Sequence, residues 1–234
     1  VLIWSSEGSI ETIDHIRGLK YTQEFKSNLD EICPPKITKC KSKPYTKISF
    51  KPDYARFGLS GLSPDFVALL KKRIYDVAAI TDKNVKVKCN SSLISIKTFP
   101  QYVDMYIGDK STTTRIHESF SDRWEYIVCL TPTNEFCQMS FVNGIHTSKG
   151  GKHVEYILNQ ITRKLVDYIE KKRKVRVNVN SIKEQLMLFI RCDIENPAFD
   201  SQTKDYMNTP VSKFGSKCEV SDKFIEKIAK LGVM

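Results

Sequence analysis

At 234 residues the chain has room for one large or two modest domains, and its apolar content is that of an ordinary folded protein. No apolar run reaches the length of a membrane span, and the first residues lack the pattern of a secretory signal, which argues against a membrane partner. Lys and Arg outnumber Asp and Glu by 37 to 27, an excess that favours a polyanion (nucleic acid, nucleotide or anionic lipid) without choosing among them. The 7 cysteines are odd in number and contain no C-x-x-C pair. They read as reduced thiols of a cytosolic or nuclear protein, with Cys129, Cys137 and Cys192 as small hydrophobes and no metal site.

The chain opens on the apolar run VLIW, which reads as a cut inside a domain. SIETIDHIRGLKYTQEF predicts two strands about a turn at Arg17-Gly18. A Pro- and Lys-rich stretch follows and closes in a strand over 45–50, with Tyr45, Lys47 and Ser49 facing one way and Thr46, Ile48 and Phe50 the other. SPDFVALLKKRIYDVAA predicts a helix capped by Ser63, with Pro64 and Asp65 in its first turn and an apolar stripe of Phe66, Leu70, Ile74 and Val77. Short strands are expected over 85–89 and 93–97, then a domain boundary near Phe99-Pro100, then a polar loop, STTTRIHESFSDR. WEYIVCLTP and FCQMSFVNGIH predict a hairpin around Thr133 and Asn134. Val154, Ile157, Leu158, Ile161, Leu165, Tyr168 and Ile169 recur at helical spacing and predict a long helix. Ser181 with Glu184 fits a capping box, QLMLFIRCDI a strand, and 221–232 a last helix between a Ser cap and a Gly stop. This order implies an α+β fold, a mixed sheet with helices on one side.

Three stretches carry possible chemistry. IENPAFDSQTKDYM ends a buried-looking strand and presents Gln202, Thr203 and Lys204 together, a set that suits an anion; a solvated polar loop is the plainer reading. GIHTSKGGKH lies where a phosphate loop would, but His146 stands where the Walker pattern needs Gly, and His153 where it needs Ser or Thr. It reads first as a tight glycine turn opening a helix, with Lys149 and Lys152 as secondary anion contacts. EKKRKVR sets Lys171, Lys172, Arg173, Lys174 and Arg176 at the helix end. A helix dipole rewards some of that charge; a nucleic-acid backbone would relieve all of it, without reading sequence. The four histidines show no ligand spacing and no nucleophile set is visible. Tyr102, Tyr106 and Tyr126 read as packing, Glu118 and Glu125 as solvated.

SFVNGIHTSKGGKHVEYI, IENPAFDSQTKDYM and FGSKCEVSDKF resemble the amino-terminal ATPase region of eukaryotic-type (type IIA) DNA topoisomerase II; RGLKYTQEF, KPYTKISFKPDYARFG and FPQYVDMYI extend the likeness over nearly the whole chain. The resemblance implies that residues 1–100 are the carboxyl-terminal part of a GHKL (Bergerat) α/β sandwich. Residues 101–234 would be a transducer domain like ribosomal protein S5 domain 2, with a left-handed βαβ crossover. It implies that Gln202, Thr203 and Lys204 touch the ATP γ-phosphate. It also implies that Lys171, Lys172 and Arg173, with Lys174 and Arg176 beside them, touch double-stranded DNA, although this turn is shorter than the family's and Glu170 replaces its leading Lys. The family's catalytic Glu, Mg2+-binding Asn and glycine-rich lid belong before Val1, so ATP and Mg2+ would be held mainly by upstream residues. No catalytic residue is expected in this stretch, which alone would be inactive. The implied whole is a homodimeric, ATP-dependent isomerase of the nucleus, or of the cytoplasm if viral. The alternatives are an S5-like nucleic-acid-binding module without nucleotide coupling, or a GHKL ATPase of the mismatch-repair or chaperone type; FDSQTK argues against the latter.

Overall fold

Alternation along the first fifty residues builds an antiparallel sheet. β1 (Ser5–Asp14) and β2 (Leu19–Lys26) pair about the expected turn, where Gly18 takes φ 66°. β3 (Glu31–Ile32) and β4 (Lys36–Lys39) pair with β2, and β5 (Thr46–Pro52) pairs with β1. Opposed residues share a face. Glu11 therefore sits with Lys47 and Glu7 with Lys51 on a charged face, and Ile10 sits with Ile48 on an apolar one. That apolar face is open: Ile32, Ile37, Ile48 and Phe50 are exposed. The computed structural model describes residues 1–233. Its chain forms two compact units, Val1–Ala68 and the remainder from Leu69.

α1 (Pro64–Ile80) starts where expected, with Ser63 Oγ accepting from the Phe66 N–H at 3.2 Å. Its expected stripe is not buried: Phe66, Leu70 and Val77 are exposed, and the buried residues are Asp76, Ala78 and Ala79. Ala79 packs instead in the core that holds Phe99, Tyr102 and Phe141. β6 (Lys88–Cys89) and β7 (Ser92–Leu93) pair across Asn90 and Ser91, shorter than the predicted strands. α2 (Phe99–Ile107) follows, its N-terminus capped by Thr98.

The second sheet comprises β8 (Arg115–Ser121), β9 (Trp124–Leu130), β10 (Cys137–Val142), β11 (Ile145–His146) and, later in the chain, β13 (Leu186–Cys192). Between β11 and β13 lie β12 (Gly150–Gly151), α3 (Lys152–Arg173) and α4 (Val179–Glu184); after β13 come β14 (Tyr206–Met207) and α5 (Asp222–Ala229). The sheet order is β11-β10-β13-β9-β8, with β10 and β13 parallel and the other pairs antiparallel. β10, α3 and β13 thus make a βαβ unit.

Several expectations change here. β9 and β10 are not a hairpin: β13 inserts between them, because parallel pairing to β10 and antiparallel pairing to β9 gives it neighbours on both edges. The polar stretch at 111–123 is largely strand β8. Cross-strand polar pairing holds it in place of apolar alternation: His117 Nε2 meets Glu125 Oε1 at 2.9 Å, and the buried Arg115 donates to the Gly108 carbonyl at 2.6 Å. The capping box at Ser181 is absent, because Asn178, three residues earlier, already caps α4 by accepting from the Asn180 N–H.

Helices cover both faces of the second sheet. Trp124, Tyr126 and Val128 of β9 point into the core with α3 and α5, whereas Ile127 and Cys129 point into the core with α2. Double-sided burial explains why WEYIVCL is apolar throughout and does not alternate.

Candidate functional site

Adjacent parallel strands deliver their following loops to one edge of a sheet. β10 and β13 do this for the glycine turn at 143–151 and the loop at 193–207. The two loops are laced from the start, where Asn143 Nδ2 donates to the Ile194 carbonyl at 2.8 Å and the Ile194 N–H returns to Asn143 Oδ1 at 2.7 Å. Further out, β12 and β14 pair in parallel, Gly150 with Tyr206 and Gly151 with Met207. Gly151 has φ 145°, and a Cβ there would run into the Met207 backbone. The glycine pair is required for this contact and for the start of α3.

The predicted anion residues sit on the outer part of the second loop. Gln202 and Thr203 are exposed and Lys204 is half-buried. Lys204 takes φ 59°, a left-handed conformation uncommon for Lys, closed by its N–H donating to the Ser201 carbonyl at 3.1 Å. Its ammonium lies 5.6 Å from the centre of the Phe199 ring and pairs with no carboxylate among the described residues. Such a contact is worth about 0.5–1 kcal/mol, against about 1.5–3 kcal/mol for a hydrogen bond to a charged group, so an arriving phosphate would outcompete the ring. Thr203 donates to Asp205 Oδ2 at 2.7 Å.

The secondary contacts divide. Lys149 is exposed, and its backbone N–H donates to the Asp205 carbonyl at 2.9 Å. Lys152 is committed to Glu155 at 2.8 Å, and Glu155 also accepts from the Tyr206 hydroxyl at 2.8 Å. Those bonds hold the Glu155 carboxyl below its usual range. The Tyr206–Glu155 and Lys149–Asp205 partners lie some fifty residues apart, so sequence spacing could not reveal them.

α3 buries Val154, Ile157, Leu158, Ile161, Leu165 and Ile169 of the face predicted for it, leaves Tyr168 half-buried and adds the buried His153. Lys171, Lys172, Arg173, Lys174 and Arg176 are all exposed at its end. Lys174 closes the helix at φ 56°. The Lys172 ammonium lies 4.7 Å from the Tyr168 ring centre.

Beneath the glycine turn is a polar cluster that residue spacing did not indicate. Asp76 is buried and accepts from Lys72 at 2.8 Å, from Arg73 at 3.2 Å and from the Tyr102 hydroxyl at 2.6 Å. Arg73 also donates to His146 Nδ1 at 2.6 Å, which leaves the ring proton on Nε2, 3.0 Å from Met139 Sδ. Burial, with Lys72 and Arg73 nearby, pushes His146 down to about 4. Burial pushes His153 down to about 3. Tyr102 and Tyr126 are buried and shifted upward by that burial, which leaves them packed phenols and not nucleophiles. Glu118 and Glu125, expected in solvent, are bound: Glu118 accepts from Tyr126 and Ser221, and the buried Glu125 from His117 and Arg191. Among the described residues no group of three His, Cys, Asp or Glu side chains could hold a metal ion.

The fold recurs in solved structures. The second unit and the first together match the ATPase region of Saccharomyces cerevisiae topoisomerase II with a TM-score of 0.91 at 38% identity, covering 99% of this chain and 60% of that one. The ATPase and transducer domains of DNA topoisomerase II from Balamuthia mandrillaris match with a TM-score of 0.90 at 37% identity, covering 98% and 59%. A family model described as DNA gyrase B matches residues 98–232, and the chain belongs to that family. It is 45% identical over 240 residues to DNA topoisomerase 2 of Arabidopsis thaliana, a match that takes in 99% of this chain and 16% of the relative's length. Neither the isolated S5-like module nor the mismatch-repair or chaperone ATPase is favoured by these matches.

Proposed function

We propose that the chain is part of the ATPase region of a type IIA DNA topoisomerase, an ATP-dependent isomerase. Residues 1–100 would close the nucleotide-binding domain, and the rest would form the transducer that couples ATP binding and hydrolysis to DNA strand passage. The start of the family-model match at residue 98 supports that division. The observation that carries the reading is the parallel pairing of β12 with β14, which ties the Gln202, Thr203 and Lys204 loop to the origin of α3. An exposed amide beside a cation that pairs with no carboxylate among the described residues fits a terminal phosphate. ATP supplies that anion; Lys204 adds a charge-assisted bond to it, and the stitched loop passes the resulting shift to the helix. Loss of the γ-phosphate removes the bond and frees the lever. Mg2+ and most contacts to the nucleotide would come from residues outside this stretch. The partners would be double-stranded DNA, met by the basic end of α3, and a second copy of the whole enzyme, in the nucleus.

In the whole enzyme, Lys204→Ala is expected to lower DNA-stimulated ATP turnover by about ten- to a hundredfold, the loss of one charged hydrogen bond. Turnover at the wild-type level would defeat the assignment.

A further inference from the structure

A carboxylate one residue from a phosphate-sensing lysine is at first sight misplaced, since it repels the anion the lysine is there to meet. The geometry around Asp205 removes the contradiction. Its two carboxylate oxygens are both taken, Oδ1 by the Ser148 hydroxyl at 2.8 Å and Oδ2 by the Thr203 hydroxyl at 2.7 Å. Its backbone carbonyl accepts from the Lys149 N–H at 2.9 Å. Two bonds thus join consecutive residues of the glycine turn, Ser148 and Lys149, to Asp205, and the third ties Asp205 back to Thr203 across Lys204. A hydroxyl has one proton; Thr203 gives its own to Asp205 and accepts from the Ser201 hydroxyl at 2.9 Å, so Asp205 and Ser201 together set its orientation. Lys204 holds a left-handed backbone, which costs a non-glycine residue energy and persists only where its neighbours are fixed. Asp200 completes the frame from the other side: its N–H donates to the Tyr206 carbonyl at 3.2 Å, and its Oδ1 accepts from the Tyr206 N–H at 3.3 Å.

We propose that Asp205 is a positioning residue: clamped by Ser148, it fixes Thr203 and through it the strained Lys204 backbone, so that Lys204 meets the phosphate, without touching that phosphate itself. The proposal rests on the reading of the loop as a phosphate sensor. It adds that the sensor is aimed from the glycine turn, so that the turn and the loop act as one part.

The test uses the whole enzyme and the substitutions Ser148→Ala, Ser148→Thr, Asp205→Ala and Lys204→Ala. Ser148→Ala and Asp205→Ala are each expected to lower DNA-stimulated ATP turnover about three- to tenfold, the scale of one lost hydrogen bond. Ser148→Thr, which keeps the hydroxyl, should restore it. Neither loss should add to that of Lys204→Ala when the changes are combined, because both act through the lysine. Hydrogen exchange supplies a readout apart from activity: without nucleotide, the Lys204 amide should exchange about tenfold faster in Ser148→Ala than in the parent. Losses that multiply with Lys204→Ala, or an exchange rate that does not change, would overturn the positioning role. If Lys204→Ala alone leaves turnover intact, the phosphate-sensing reading fails, while the exchange rate still decides whether Asp205 holds the loop.

Discussion

His146 and His153 lie inside the glycine turn and the first turn of α3, and both are held neutral by burial, with values pushed down to about 4 and about 3 from an ordinary 6.5. In the unfolded chain each takes up a proton as pH falls through 6.5; in the folded chain each refuses it until far lower. Their contribution to stability is therefore complete above about pH 6.5 and is lost as pH falls toward 4. Each can cost up to about 1.4 kcal/mol per pH unit across that window. Urea unfolding at pH 7 and pH 5 should show the drop, and His146→Gln should remove about half of the slope. A slope unchanged by that substitution would show that His146 is not buried as a neutral ring. Gln202, Thr203 and Lys204 were legible as polar residues because they stand in a row. The pairing of Ser148 with Asp205 was not legible, since a serine and an aspartate apart in sequence carry no signal until a sheet brings them together.

At the scale of elements, α3 joins the glycine turn to the basic cluster. Its 22 residues span about 33 Å, with the stitched glycine turn at one end and the basic cluster at the other. Five exposed cations at one helix end exceed what a half-unit of dipole charge can offset, so they repel one another until a polyanion arrives. Replacing Lys171, Lys172 and Arg173 with Gln should therefore flatten the dependence of DNA affinity on salt. The slope of log affinity against log salt should fall by about 0.9 for each phosphate contact removed. Binding measured from low to moderate salt checks this, and an unaltered slope would remove the basic end from the DNA contact. The helix itself was legible because its buried face repeats at 3.6 residues. The strand pairing was not: a short link between two strand-like runs favours a hairpin, and nothing local announces that a third strand, β13, will take the place between them.

At the scale of the molecule the two units differ in how they are held. The unit from Leu69 has two apolar cores on opposite faces of one sheet. The unit Val1–Ala68 has Ile13 as its one buried hydrophobic side chain among the described residues, and leaves Ile32, Ile37, Ile48 and Phe50 exposed. Burial of apolar area is the main source of stability, at about 25 cal/mol per Å2, so the first sheet in this chain rests largely on backbone hydrogen bonds and cross-strand pairs. Native-state hydrogen exchange should find the amides of β1, β2 and β5 opening far more readily than those of β9 and β13, by at least about a hundredfold. Equal protection in the two sheets would contradict this division.

The sequence by itself determined the elements whose residues repeat with a period, the caps at Ser63 and Ser221, the turn at Gly18, the α+β class and the chemical character of the lysine loop and the basic helix end. These depend on neighbours within a turn or two of chain. Only the tertiary structure decided that helices cover both faces of the second sheet, that β13 separates β9 from β10, that Glu118 and Glu125 are bound, and that the glycine turn and the lysine loop form one part. The reason is physical: parallel neighbours in a sheet are joined through a long crossover, so the groups they bring within hydrogen-bonding distance are far apart in the chain and obey no local pattern.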